Sequence, residues 1–281
     1  MQTNQLNLFS YYNESYEKGI ALLSELKFNE AKNALAVVLE QNPEDEDAGR
    51  ALELITFWQA KTKHCSQLPE KEAVNYFHGA LEQFHFTNSA TGKVLHRALK
   101  LFGLNLMMKA DIFELPPGLD MAELSIEINK EPLVIAYLEK RLIEKPGDAK
   151  LHARLADLQW LTDDIGAARE NYTMALLSAH KEVNSEKIKH ENLKKIIEKH
   201  GTEMACAYAC LSGELPFPQY DAVVNKKCLK VCKLVMKEIN TTDNREETLK
   251  LRKQLKATDE EFFKVFMQRK SFIKKYLPVI K

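Results

Sequence analysis

Apolar residues recur along this chain at the three- and four-residue spacing of amphipathic helices, and no stretch alternates regularly enough to predict a strand. Between Tyr16 and Leu39, the positions Ile20, Leu22, Leu23, Leu26, Leu35, Val38 and Leu39 predict two helices broken near Lys27–Asn29. Pro43 closes the second, because proline has no N–H to donate and disfavours α conformation in the residue before it. Further helices are predicted over Asp47–Ala60, Glu70–Phe84, Thr91–Lys109 and Glu131–Lys145, with a weaker one at Met121–Asn129. Pro146-Gly147-Asp148 marks the next clear junction. Beyond residue 181 three helical tracts follow: Glu182–Leu211, Tyr220–Asn240 and Asp243–Leu277. The loop Ser212–Gln219, with Gly213, Pro216 and Pro218, divides the first two, and Asp259 is a predicted N-cap ahead of Phe262, Phe263, Phe266 and Phe272.

Within Ala149–His180 the small and large residues fall at fixed offsets. Leu155 and Ala156 sit on the first helix of a pair, and Ala168, Tyr172 and Ala175 on the second. Alanines let two backbones approach, and an aromatic ring fills the gap their short side chains leave. This segment resembles a tetratricopeptide repeat, a helix-turn-helix unit of about 34 residues. His152, Gln159 and His180 depart from the aromatic, aromatic and proline usual there. A second copy spans Tyr12–Asp45, with Gly19, Leu22, Phe28, Ala31, Leu35 and Pro43 in register and Lys18 where leucine is usual. A looser pair joins Asp47–Ala60 to Glu70–Phe84 through Ala73, Phe77 and Ala80, with an insertion around Lys61–Leu68.

The resemblance implies an all-α, right-handed superhelix of helix-turn-helix repeats, an α-solenoid, over residues 1–180, with residues 181–281 as a helical extension capping one end. It also implies that the first helices of successive repeats line a concave face that holds a peptide or helix of a partner protein. Carried over by position, the inward sites are Asn13, Tyr16, Ile20 and Leu23, then Asp47, Arg50, Leu54 and Phe57, then Lys150, Ala153, Asp157 and Trp160. Tyr16, Arg50, Phe57, Lys150, Asp157 and Trp160 are the partner-binding residues expected, because aromatic and arginine side chains most often anchor interfaces and charges orient them.

Composition narrows the alternatives. Ten glycines in 281 residues is about half the usual frequency, in keeping with helices joined by short loops. The net charge of zero conceals 22 basic against 14 acidic residues after position 180, and 18 against 26 before it. A basic C-terminal part admits a nucleic-acid-binding regulator, and self-association admits a homo-oligomeric structural protein. Both rank below the adaptor, with nucleic acid not the expected ligand. The N-terminal segment has no signal-peptide pattern and no run of about 18 apolar residues occurs, so a cytoplasmic location without a membrane span is expected. The sequons at Asn13, Asn171 and Asn240 are then chance matches. No paired acid-base residues on a glycine-rich loop are visible, so no catalytic, cofactor or metal residues are assigned and the chain is not expected to be an enzyme.

Four clusters bear on chemistry. Cys206 and Cys210 are four apart, as are Cys228 and Cys232, and both outer and inner pairs centre on residue 219 in the proline loop. In an antiparallel hairpin the two pairs would face one another. Ordinary core thiols, two interhelical disulfides and a four-thiolate zinc site are all compatible with that spacing, core thiols being the plainest in a reducing compartment. His78, Glu82 and His85 share a helix face without the HExxH order, and Thr91-Gly92-Lys93 lacks the upstream glycine of a phosphate loop. The terminal tract sets Lys264, Arg269, Lys270, Lys274, Lys275 and Lys281 against Phe262, Phe263, Phe266, Ile273 and Leu277, which reads as a capping helix with snorkelling cations.

Overall fold

The computed structural model describes residues 2–116, 118–219, 224–241 and 244–276, with side chains described from residue 13 to residue 270 within these ranges. Among the described residues the chain is all-α apart from one small hairpin, and it divides into two compact units, Met1–Val134 and Ile135–Lys281. The boundary at residue 180 read from the repeat pattern therefore lies inside the second unit.

The first unit contains α1 (Gln2–Ser24), α2 (Phe28–Gln41), α3 (Glu46–Cys65), α4 (Glu70–Gln83), α5 (Ala90–Ala110) and α6 (Met121–Glu127). The break between α1 and α2 falls where the pattern of apolar residues ends, with Leu26 in left-handed conformation at the turn. Gly19 is needed where these helices meet, because a Cβ there would lie 2.8 Å from Leu35 Cγ. Phe28, Ala31 and Leu35 are buried in the core of this unit. Asp45 caps α3 by accepting from the N–H of Ala48, which lets the helix begin straight after Pro43. The expected insertion after Ala60 is mostly helix: α3 runs to Cys65, whose buried thiol extends the apolar stripe of Ala51, Ile55 and Trp58. Trp58 is wholly enclosed, with Phe77, Phe84 and Phe86 packed around it at 5.3 to 5.9 Å.

The hairpin pairs β1 (Glu114–Leu115) with β2 (Leu119–Asp120) in antiparallel register. Two residues per strand are too few for alternation to register in sequence.

The second unit opens within α7 (Glu131–Glu144), which spans the division between the units, and continues through α8 (Ala149–Leu161), α9 (Ile165–Ala179), α10 (Glu191–Ser212), α11 (Lys226–Asn240), α12 (Arg245–Thr258) and α13 (Glu260–Tyr276). Asp148 and Asp164 cap α8 and α9, and at their seam Ala156, Ala168, Tyr172 and Ala175 are all buried. Two of the three residues that depart from the repeat pattern, His152 and Gln159, join Asn171 in a polar network there. Asn171 donates to Gln159 Oε1 at 2.9 Å, and the His152 ring nitrogens lie 2.8 Å from Asn171 Oδ1 and 3.0 Å from the Pro146 carbonyl. The tract expected from Glu182 begins as two 3₁₀ turns, and helix starts only at Glu191. The reason is tertiary: the Lys189 N–H donates to Asp157, and His190 stacks on Trp160, both of which hold this segment extended against α8. Gly201 at φ +73° kinks α10, and Gly213 at φ +77° ends it. Asp259 caps α13 as predicted, and Phe262 and Phe266 are buried in the unit's core, while Phe272 and the last five residues lie outside the described side chains.

Candidate functional site

The most concentrated chemistry lies where α10 and α11 pack. The i, i+4 spacing places Cys206 and Cys210 on one face of α10, and Cys228 and Cys232 on one face of α11. All four are fully enclosed free thiols, so neither of the disulfides considered from the sequence is formed. The sulfurs of Cys206, Cys210 and Cys232 lie within 4.8 Å of one another. Cys228, one helical turn before Cys232 on α11, is buried in the same core. Of the two facing pairs expected, the sulfurs of Cys206 and Cys232 lie within 4.8 Å of each other across the seam of the two helices.

The surroundings make the site rigid and dry. Ala205, Ala207 and Ala209 alternate with the α10 cysteines and let the helices approach, while Leu215 and Phe217 from the following loop are buried in the same core. The Cys210 thiol donates to the Pro216 carbonyl at 3.1 Å. Asn225 caps α11 by accepting from the N–H of Cys228, and its amide donates to Glu203 O at 2.7 Å and Leu176 O at 3.3 Å. One buried side chain therefore joins α9, α10 and α11 beside the cluster. The three neighbouring thiols hold Cys206 well below its ordinary pKa. Burial pushes Cys210 up, and contact with Cys206 raises Cys228 and Cys232.

The other candidates are dispersed. His78 is buried with Nε2 unpartnered, and burial lowers its pKa to about 4, whereas Glu82 and His85 are exposed. The Gly92 N–H is taken by Ser89 as the cap of α5, and Thr91 is bonded to Tyr16. Among the described residues, only the cysteine cluster brings three potential metal-ligating side chains this close.

Of the expected partner-binding residues, Tyr16, Arg50 and Phe57 belong to the first unit. The Tyr16 hydroxyl is 3.1 Å from Thr91 Oγ1, and Arg50 is exposed and paired with Glu46. Phe57 is 40% exposed with its ring against Trp58 and Phe84. Lys150, Asp157 and Trp160 belong to the second unit. Lys150 is exposed. Asp157 Oδ1 accepts from the Tyr172 hydroxyl at 2.5 Å and from the Lys189 N–H at 3.0 Å. Trp160 stacks on His190 at 4.0 Å. His190 is itself buried beside Glu214, its pKa lowered by that burial, and it escaped the sequence reading because it lies 30 residues from the ring it covers. Asn225 was missed as well, although an asparagine ahead of a helical run is an N-cap signal.

No family model, curated protein or solved structure matches the chain. No described helix is long and apolar enough to cross a membrane.

Proposed function

We propose that the chain is a helical-repeat adaptor related in design to the tetratricopeptide repeat, a right-handed stack of hairpins that binds a peptide or helix of a partner protein in the cytoplasm. The supporting observation is the seam between α8 and α9. There Ala156, Ala168, Tyr172 and Ala175 occupy the close-approach and gap-filling positions that such a repeat requires, and all are buried. In this reading α1 and α3 in the first unit, and α8 in the second, each present first-helix residues to a partner, and residues 181–281 form a helical extension. The activity is binding, and no bond is broken.

Arg50 and Lys150 are the cleanest probes because both are exposed, whereas Tyr16, Asp157 and Trp160 also serve internal contacts. The test is quantitative affinity capture from the source cell's lysate, comparing the wild type with an Arg50→Glu, Lys150→Glu variant of unchanged circular dichroism. A partner retained by the wild type and weakened about tenfold or more by the variant supports the adaptor. Capture of the same proteins equally by both removes this surface from the function.

A further inference from the structure

We propose that Cys206, Cys210, Cys228 and Cys232 form a binding site for one thiophilic closed-shell metal ion, Zn²⁺ or Cu⁺. The inference stands apart from the adaptor reading and rests on placement. Cysteines used only as small core residues need not touch one another, because each packs as well against carbon. Here two helices each contribute an i, i+4 pair, all four are buried, and the sulfurs of Cys206, Cys210 and Cys232 lie within 4.8 Å of one another. Cys228 lies one helical turn before Cys232 on α11 and is buried in the same core.

The dimensions suit an ion. A tetrahedral zinc with Zn–S bonds of about 2.3 Å needs sulfurs roughly 3.8 Å apart, and trigonal coordination at the same bond length needs roughly 4.0 Å. Three sulfurs already within 4.8 Å reach either spacing by small side-chain rotations. Soft thiolate donors without oxygen ligands select Zn²⁺ and Cu⁺ over Mg²⁺ and Ca²⁺. As the ion enters, each coordinating thiol releases its proton to solvent, so a four-thiolate zinc site carries a net charge of −2. Part of that charge is met by the first turn of α11, where Cys228 lies and where the helix dipole is positive. Asn225, anchored to Leu176 and Glu203, holds that turn in register with α10.

The two ions differ in what they ask of Cys228. Zinc takes all four sulfurs, whereas Cu⁺ is satisfied by the compact trio of Cys206, Cys210 and Cys232. The full-length chain, reduced and stripped with chelator under anaerobic conditions, would be titrated separately with Zn²⁺ and with Cu⁺. Bound metal would be measured by mass spectrometry after gel filtration. Tight binding of one equivalent of either ion is expected, together with intense sulfur-to-metal charge transfer when Co²⁺ replaces zinc. Cys228→Ser retains a residue that suits a helix N-terminus and so preserves the fold. If zinc is the ligand, this variant weakens it by at least about 100-fold. If copper is the ligand, the loss stays within about tenfold. Cys65→Ser, outside the cluster, should leave binding of either ion unchanged. Failure of the folded wild type to retain either ion overturns the proposal. So does an intact mass about 4 Da below that of the all-thiol chain, which would mean two disulfides.

Discussion

Replacing Asn225 tests whether one buried amide holds three helices in place. Its side chain makes three hydrogen bonds: it accepts from the Cys228 N–H at 3.2 Å and donates to Glu203 O at 2.7 Å and Leu176 O at 3.3 Å. Asn225→Ala removes an N-cap, worth about 1 kcal/mol, and two further bonds worth about 1 kcal/mol each, of which the long one to Leu176 counts least. The Cys228 N–H is left buried without its cap. A total loss of about 2–4 kcal/mol follows, with a small cavity adding to it. Asn225→Asp keeps the cap acceptor but sets a buried carboxylate against two carbonyl oxygens, so it should be at least as damaging as alanine. Trp160 reports on the second unit and Trp58 on the first, so urea unfolding would be followed by Trp160 fluorescence in a Trp58→Phe background. With a urea m-value of about 2 kcal/mol/M, the Ala variant should lower the midpoint by about 1–2 M. Asn184→Ala, which removes only an exposed cap, should shift it far less. An Asn225→Ala midpoint within about 0.25 M of the reference would refute the reasoning, since it would mean the amide's three bonds contribute no net stability.

Two glycines in helices of the first unit should respond with opposite signs. Gly19→Ala drives a methyl to 2.8 Å from Leu35 Cγ and should cost about 1 kcal/mol net, after the gain in helix propensity. Gly79→Ala meets nothing within 4 Å and should stabilise by about 0.5–1 kcal/mol, with thermal denaturation reading both. His78 makes first-unit stability depend on pH. Because burial lowers its pKa from 6.5 to about 4, the unfolded chain takes up the proton first as pH falls. Its contribution is complete above about pH 6.5 and is lost progressively down to about pH 4, up to about 3 kcal/mol in all. His78→Leu should flatten that part of the wild-type profile, and an unchanged slope would remove His78 as its source. Glu238 is buried and receives Arg252 at 2.9 Å as well as Lys270, so Glu238→Ala should destabilise the second unit by about 2 kcal/mol. The figure is moderate because both cations reach solvent once released, and chemical denaturation at low and high salt would measure it.

Local rules carried much of the fold. Pro43 with Asp45, Pro146 through Asp148, and Asp259 end or begin helices through backbone donors within a few residues, so their effect is readable without knowing what lies across the molecule. The same holds for the small and aromatic positions of α8 and α9, which are buried where their spacing places them. The cysteine spacing likewise specified two pairs, each on one helix face, around a turn.

Periodicity identifies an apolar or polar face but not its occupant, and that limit accounts for what escaped. The repeat resemblance assigns Asp157 and Trp160 to a partner, yet Tyr172, Lys189 and His190 engage them from 15 to 32 residues away. The late start of α10 follows from those same contacts, which outweigh a helical preference that is weak per residue. The approach of the Cys206, Cys210 and Cys232 sulfurs to within 4.8 Å depends on the depth and rotation at which α10 packs on α11. Asn225 and the alanines between the cysteines set that packing through contacts that no local pattern encodes.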